Sequence, residues 1–268
     1  MKSPIRWIKR RCELSKHSLR RMDVEREFGE ACGYPVKLVA APTKGGYDEI
    51  YYALNQRKRF AVVRINNPYK TQNDPVSLRD PGIPLDAKGR LEHEWNAYHK
   101  LTKEHIAPRP LWKSDHAIAC SWINWQRASI WLTKYRRDFW SIAERIFPAV
   151  AKMHQCGVTH LDLNLGNILV EPKGPGVIII DFEFGPADWV NKDQQKAFDY
   201  LRLLDDCVKP RRGGRQLLAD LDRMEDILNR CVDDSCRHTD LTFVFTKLKR
   251  LTTQPRLCET LRKIFQNL

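Results

Sequence analysis

The sequence predicts an α+β protein in which a strand-rich part precedes a helix-rich one, and three observations carry that prediction. Apolar runs of strand length, separated by turn formers, occupy residues 34–66 and 106–122. From residue 139 onward, apolar side chains recur at helical spacing. One short apolar hairpin, 168–170 and 177–180 around the Gly/Pro-rich turn 171–176, interrupts that helical half.

Length and charge bound the rest. At 268 residues the chain suffices for one two-lobed unit or two small domains. No run of eighteen apolar residues occurs and the N-terminus has no apolar signal core, so a cytoplasmic protein is expected, with peripheral contact to the inner membrane face. The net charge of +13 is concentrated at the ends: residues 1–21 contribute +7 and residues 241–268 contribute +5, leaving +1 for everything between. Such ends suit an anionic surface, unless they are simply solvated faces. Eight cysteines show no repeated pair spacing, and Cys231-x4-Cys236-x-His238 lacks a second pair, so free thiols in a reducing compartment are expected.

In chain order, residues 1–21 intersperse Ile5, Ile8, Leu14 and Leu19 with eight Lys or Arg around Trp7, the composition of a basic helix lying on lipid. A basic extension over 1–29 is therefore expected, then a strand-rich lobe with one helix over 30–125 and a helical lobe over 126–268. Strands are predicted at 36–41, 49–54 and 59–65, with a tight turn at Thr43-Lys-Gly45-Gly46-Tyr47. Period-two alternation puts Val62 and Arg64 on one face of the third strand. Residues 67–90 hold four Pro and two Gly and read as a long connection. Leu91, Trp95, Tyr98 and Leu101 share a helical stripe with Glu94 beside it. Two more strands follow at 106–112 and 116–122, then a basic aromatic segment over 131–139. A long helix over 139–156 contains Pro148, which should kink or split it, and ends at Gly157. Beyond the hairpin, helices are predicted at 192–208, 216–232, 239–251 and 256–268, with a basic loop at 209–215.

The hairpin's flanks carry the chemistry. His160-x-Asp162-x4-Asn167 precedes it and Asp181-Phe-Glu183 follows it, so the two strands bring Asn167 and Asp181 to the same end. Phosphoryl transfer needs a carboxylate to orient and deprotonate the attacking hydroxyl, and oxygen ligands to hold Mg²⁺ against nucleotide phosphates. Asp162 fits the first role, and the Asn167 amide oxygen with Asp181 fits the second.

These residues resemble the catalytic loop and metal-binding segment of the protein-kinase-like superfamily. Leu161 stands where eukaryotic protein kinases have Arg, Glu183 stands where they have Gly, and no Ala-Pro-Glu segment follows. The likeness is therefore to the small-molecule branch, with choline- and aminoglycoside-kinase-like motifs, and to the bacterial lipopolysaccharide core (heptose and Kdo) kinases. It implies a bilobal fold with an antiparallel β N-lobe and a mainly helical C-lobe, and ATP with Mg²⁺ as cofactors. It implies that Gly45 and Gly46, two of the usual three glycines, cover the phosphates, although a plain hairpin turn is the more common explanation of Gly-Gly between strands. Arg64 takes the place of the phosphate-binding Lys, as in choline kinases, and Glu94, with Glu92 as competitor, is its helix partner. Ile123, within the 122–125 hinge, would meet the adenine. The expected activity is phosphorylation of a lipopolysaccharide core sugar, with an anionic glycolipid or sugar as partner and no nucleic acid. A small-alcohol or aminoglycoside kinase remains open, as does a pseudokinase or anionic-surface binding module.

Overall fold

The computed structural model describes residues 19–42, 47–68, 80–135 and 137–268. The basic stretch to residue 18, the Gly45-Gly46 turn and most of the 67–90 connection lie outside the described residues. The chain divides into two compact units: residues 1–71, 86–91 and 109–122 in the first, the remainder in the second. This partition differs from the expected lobes in giving 72–85, 92–108 and 123–125 to the second unit.

The first unit is an antiparallel five-stranded sheet of β1 (Lys37–Ala40), β2 (Glu49–Asn55), β3 (Lys58–Ile65), β5 (Pro110–Lys113) and β6 (Ala117–Ser121), in the order β1-β2-β3-β6-β5. The predicted β2–β3 hairpin closes through Gln56 and Arg57, both at positive φ (46° and 69°), as a two-residue turn matched to strand twist requires. Alternation along β3 holds: Ala61, Val63 and Ile65 enter the core, which puts Arg64 on the opposite face with Val62.

Part of the expected 1–29 extension belongs to this core. Residues 19–32 form helix α1, and Val24 and Phe28, one helical turn apart, pack against Leu38, Ala53, Val63 and Ala119. The Phe28 ring lies 5.8 Å from Phe60 and 5.4 Å from Trp112. Burying such side chains contributes roughly 1.5–3 kcal/mol each. Glu25 Oε2 also accepts the Leu38 N–H at 2.6 Å, satisfying part of the edge strand β1.

The second unit is built on α4 (Phe139–Gln155) and α5 (Lys192–Cys207). Phe147 of α4 stacks on Tyr200 of α5 with centroids 6.3 Å apart. Helix α4 is not split at Pro148, which lies on its exposed face, where water can take the carbonyl that proline leaves without a donor. Gly157, at φ +73°, ends the turn after the helix. An Asn191–Gln194 capping box starts α5. The hairpin is β8 (Ile168–Val170) and β9 (Val177–Ile179), paired in the register Ile168↔Ile179, and β7 (Gln126–Arg127) adds a third strand alongside β8. Arg145 of α4 donates to the carbonyls of Glu171, Pro175 and Gly176, pinning the hairpin turn.

Elsewhere local patterns hid structure. Residues 128–133, which carry no predicted element and run into the basic aromatic segment, form helix α3 (Ala128–Thr133). Within the 67–90 connection, β4 (Gly82–Pro84) pairs with β10 (Phe184–Pro186), and helix α2 (Ala87–Leu101) begins four residues before the apolar stripe does. A Cβ on Gly82 would stand 2.9 Å from that of Leu161, so this close approach to the catalytic loop needs glycine. The expected 216–232 helix breaks at Asp220, which leaves helical φ/ψ to cap Arg223 N–H, giving α6 (Gly214–Ala219) and α7 (Leu221–Cys231). After α8 (Asp234–Arg237), the expected 239–251 helix becomes α9 (Val244–Lys247) and α10 (Lys249–Thr252), because Asp205 Oδ1 takes the Leu251 N–H at 2.9 Å. Helix α11 (Pro255–Ile264) follows.

Candidate active site

The hairpin register sets the site. Asn167 immediately precedes β8 and Asp181 lies two residues beyond β9, with the Ile180 N–H bonded to Asn167 O at 3.0 Å. The same end of the hairpin therefore presents both predicted metal ligands.

The catalytic loop is held from below by α5. Asp199, fully buried, accepts the His160 N–H at 2.9 Å through Oδ2 and the Leu161 N–H at 2.7 Å through Oδ1, and His154 Nε2 lies 3.1 Å from Oδ2. The two amides thereby find a buried acceptor although Leu161 takes φ +63°, a conformation that costs a branched residue about 1 kcal/mol or more. His160 Nδ1 receives the Asp162 N–H at 3.3 Å and its Nε2 faces Ile180 O at 3.0 Å, so bonding assigns the proton to Nε2.

Asp162 emerges from this clamp with its side chain about one-third exposed. Arg202 of α5 donates to its Oδ1 at 2.8 Å, while Oδ2 has a longer 3.5 Å contact with Asn164 Nδ2. Asn164 and Asn167 both donate Nδ2 to the Asp162 main-chain oxygen, at 2.9 and 3.2 Å. The Asn167 bond uses the amide nitrogen and leaves the amide oxygen available as a metal ligand. The loop thus presents one carboxylate oriented by a cation, with an amide oxygen beside it.

Asp181 also stands at positive φ, 77°. Its N–H is bonded to Tyr98 Oη at 3.4 Å, and Tyr98 donates to Glu94 Oε1 in a buried pair. Tyr98 thereby links Glu94 to the segment that carries Asp181, a connection that the expected ion pair with Arg64 did not include. Phe182, fully buried, packs between the Tyr98 and His160 rings.

A second buried carboxylate braces the loop three residues past Asp162. Asp206 accepts the Leu165 N–H at 3.1 Å, and Lys209 and Arg212 both bond it. Burial pushes the Asp206 carboxyl up, but those hydrogen bonds and charges outweigh it and hold it below the ordinary value. A carboxyl lowered by folding adds stability that is present above its unfolded value of about 3.9 and lost as pH falls through the folded value. The melting temperature of the Asp206→Asn variant should therefore fall less steeply than that of the parent chain below about pH 4. Parallel acid limbs in thermal melts would show that Asp206 makes no such contribution.

In the first unit, Arg64 is buried and lies 3.5 Å from Asp48, whose carboxylate also takes Arg90 at 2.6 Å and the Asn67 N–H at 3.3 Å. Asp48 carried no sequence signal, being one of two adjacent acids, Asp48 and Glu49, at the start of a strand. Gly45 and Gly46 lie outside the described residues. Ile123, half-buried, lies in the second unit, in the irregular segment between β6 and β7.

Among the described residues no cluster of three or more His, Cys, Asp and Glu side chains could form a metal cage. One carboxylate and one amide oxygen at a hairpin end instead fit Mg²⁺, which keeps few protein ligands and fills its octahedron with water and phosphate oxygens. Residues 87–208, just under half of the chain, match the family model of the RIO domain, a protein-kinase-like family of atypical ATP-dependent kinases that use Mg²⁺. The matched span runs from the start of α2 to just past α5, taking in Glu94, Asp162, Asn167 and Asp181 but not Arg64. It supports the kinase-like superfamily and lends nothing to the lipopolysaccharide branch. No curated protein matches the chain.

Proposed function

We infer that this protein-kinase-like enzyme, which uses ATP and Mg²⁺, transfers the γ-phosphoryl group of ATP to a hydroxyl that Asp162 orients and deprotonates. One observation carries the reading: Asp162 is held about one-third exposed on a loop whose backbone is fixed by Asp199 and Asp206, with Asn167 and Asp181 at the adjoining hairpin end. Asn167 and Asp181 would hold Mg²⁺, which would supply neutralisation of the charge developing on the transferred phosphoryl group. Arg202 fixes the direction of the Asp162 carboxylate, so that Oδ2 faces the incoming hydroxyl. Arg64, steadied by Asp48, supplies a bidentate cation for nucleotide phosphates, and Glu94 supports the Asp181 segment through Tyr98.

The acceptor we propose is anionic. The charge of +13, weighted to the chain ends, favours a phosphorylated glycan such as a lipopolysaccharide core sugar at the cytoplasmic face of a membrane. The match to a family of atypical protein kinases favours a second reading, a protein hydroxyl. Transfer of labelled γ-phosphate to core oligosaccharide, choline, aminoglycoside and protein acceptors decides between them. Label should enter one acceptor class only in the presence of Mg²⁺. Incorporation that persists in excess chelator would remove Asn167 and Asp181 from their assigned roles.

A further inference from the structure

Arg137, after α3, and Arg211 and Arg215, in the 209–215 segment, line a cavity of about 620 Å³ in the second unit. All three are exposed, and none has a carboxylate partner among the described residues. Their neighbours differ: Lys209 and Arg212 are both spent on Asp206. Asp138, the acid adjoining the cavity, caps α4 at Ser141 and takes Gln216 Nε2, and it makes no ion pair with any of the three arginines among the described residues. Three guanidinium groups lining one hollow, with Arg137 lying over the Trp131 ring at 5.5 Å, concentrate positive charge there, and guanidinium is the group suited to bidentate phosphate contact.

The base of the cavity is stiff. Gly213 stands at φ +100°, and a Cβ there would come within 2.2 Å of the Phe139 ring, while one on Gly214 would come within 2.0 Å of Val208 O. Both walls are fastened to the same residue of the catalytic loop. Ser129 of α3 donates to Leu165 O at 2.9 Å, and Leu165 donates to Asp206, which Lys209 and Arg212 bind.

We propose that this cavity is a phosphate-binding subsite for the acceptor: Arg137, Arg211 and Arg215 grip a phosphomonoester or diphosphate that the acceptor already carries, while its free hydroxyl reaches Asp162. The proposal rests on the phosphotransfer reading above and narrows its substrate class. The phosphate belongs to a soluble sugar phosphate or to a lipid headgroup.

The test uses the full chain with its nucleotide site saturated by Mg²⁺ and a non-hydrolysable ATP analogue. Calorimetric titration with inorganic pyrophosphate should show saturable binding that weakens with salt and falls at least tenfold in the R137Q/R211Q/R215Q variant, with R211Q alone intermediate. Binding of the ATP analogue should not change. Vesicles containing phosphatidic acid should bind in the same arginine-dependent way if the phosphate comes from lipid, and soluble glucose 6-phosphate alone should do so if it does not. In the labelled-transfer assay, the triple variant should raise KM at least tenfold for a phosphorylated acceptor and leave kcat within about twofold. Equal pyrophosphate affinity in parent and variant would overturn the proposal. So would arginine-dependent binding of a single-stranded oligonucleotide without binding of pyrophosphate. If the parent chain takes pyrophosphate but not the ATP analogue, the phosphotransfer reading fails while the anion site stands.

Discussion

Replacing Asp162 with Asn should lower phosphate transfer by about a thousandfold while leaving Mg²⁺–ATP-analogue binding within about threefold. A positioned general base contributes roughly 10²–10⁴ in rate, and a thousandfold loss corresponds to about 4 kcal/mol of transition-state stabilisation. The substitution suits the test because the surrounding loop does not depend on the carboxylate. Asn164 and Asn167 make their shortest bonds to the Asp162 main-chain oxygen, and the two amides before it are held by Asp199. Asn fills the same volume and can still accept from Arg202, so what disappears is the ability to take the hydroxyl proton. Steady-state transfer of labelled phosphate, read beside calorimetric nucleotide binding, separates the two effects. A variant that turns over at the parent rate would remove Asp162 from the catalytic role.

The parts of the site legible in the sequence are those in which local period and turn chemistry decide geometry. Two three-residue apolar strands around a Gly/Pro turn leave little choice of pairing, so Asn167 and Asp181 had to meet at one end. Arg64 was placed on its face by the same period-two rule. What stayed hidden are contacts across long sequence separations. Arg202 reaches Asp162 over 40 positions and Asp206 reaches Leu165 over 41, and neither residue differs in local context from any polar residue on a helix. Charge also misled. The Lys and Arg of 1–21 make 1–29 read as a basic appendage, whereas burial of its last part is decided by Val24 and Phe28 at i, i+4. Within 67–90, three residues of β4 between prolines carry no strand period, and only pairing with β10 defines them.

The largest structural effect should come from Asp199, which touches no reacting group. Its Oδ2 accepts the His160 N–H and faces His154 Nε2, and its Oδ1 accepts the Leu161 N–H, all with the side chain inaccessible to water. Truncation in Asp199→Ala would leave two buried backbone donors and an imidazole N–H without an acceptor, each costing roughly 1–3 kcal/mol. A destabilisation of about 3–5 kcal/mol is expected, a large part of the 5–15 kcal/mol that typically separates folded from unfolded protein. The loss cannot stay local, because these amides hold Leu161 at φ +63° and so set the direction in which Asp162 leaves the loop. Asp199→Asn separates stability from catalysis. Its one carbonyl oxygen can serve a single amide, so it should melt between the parent and the alanine variant yet lose most of its turnover, with KM for ATP little changed. Chemical denaturation and initial-rate measurements on both variants test this. If the alanine variant melts with the parent, or the asparagine variant retains the parent kcat, the α5 carboxylate is not what fixes the catalytic loop.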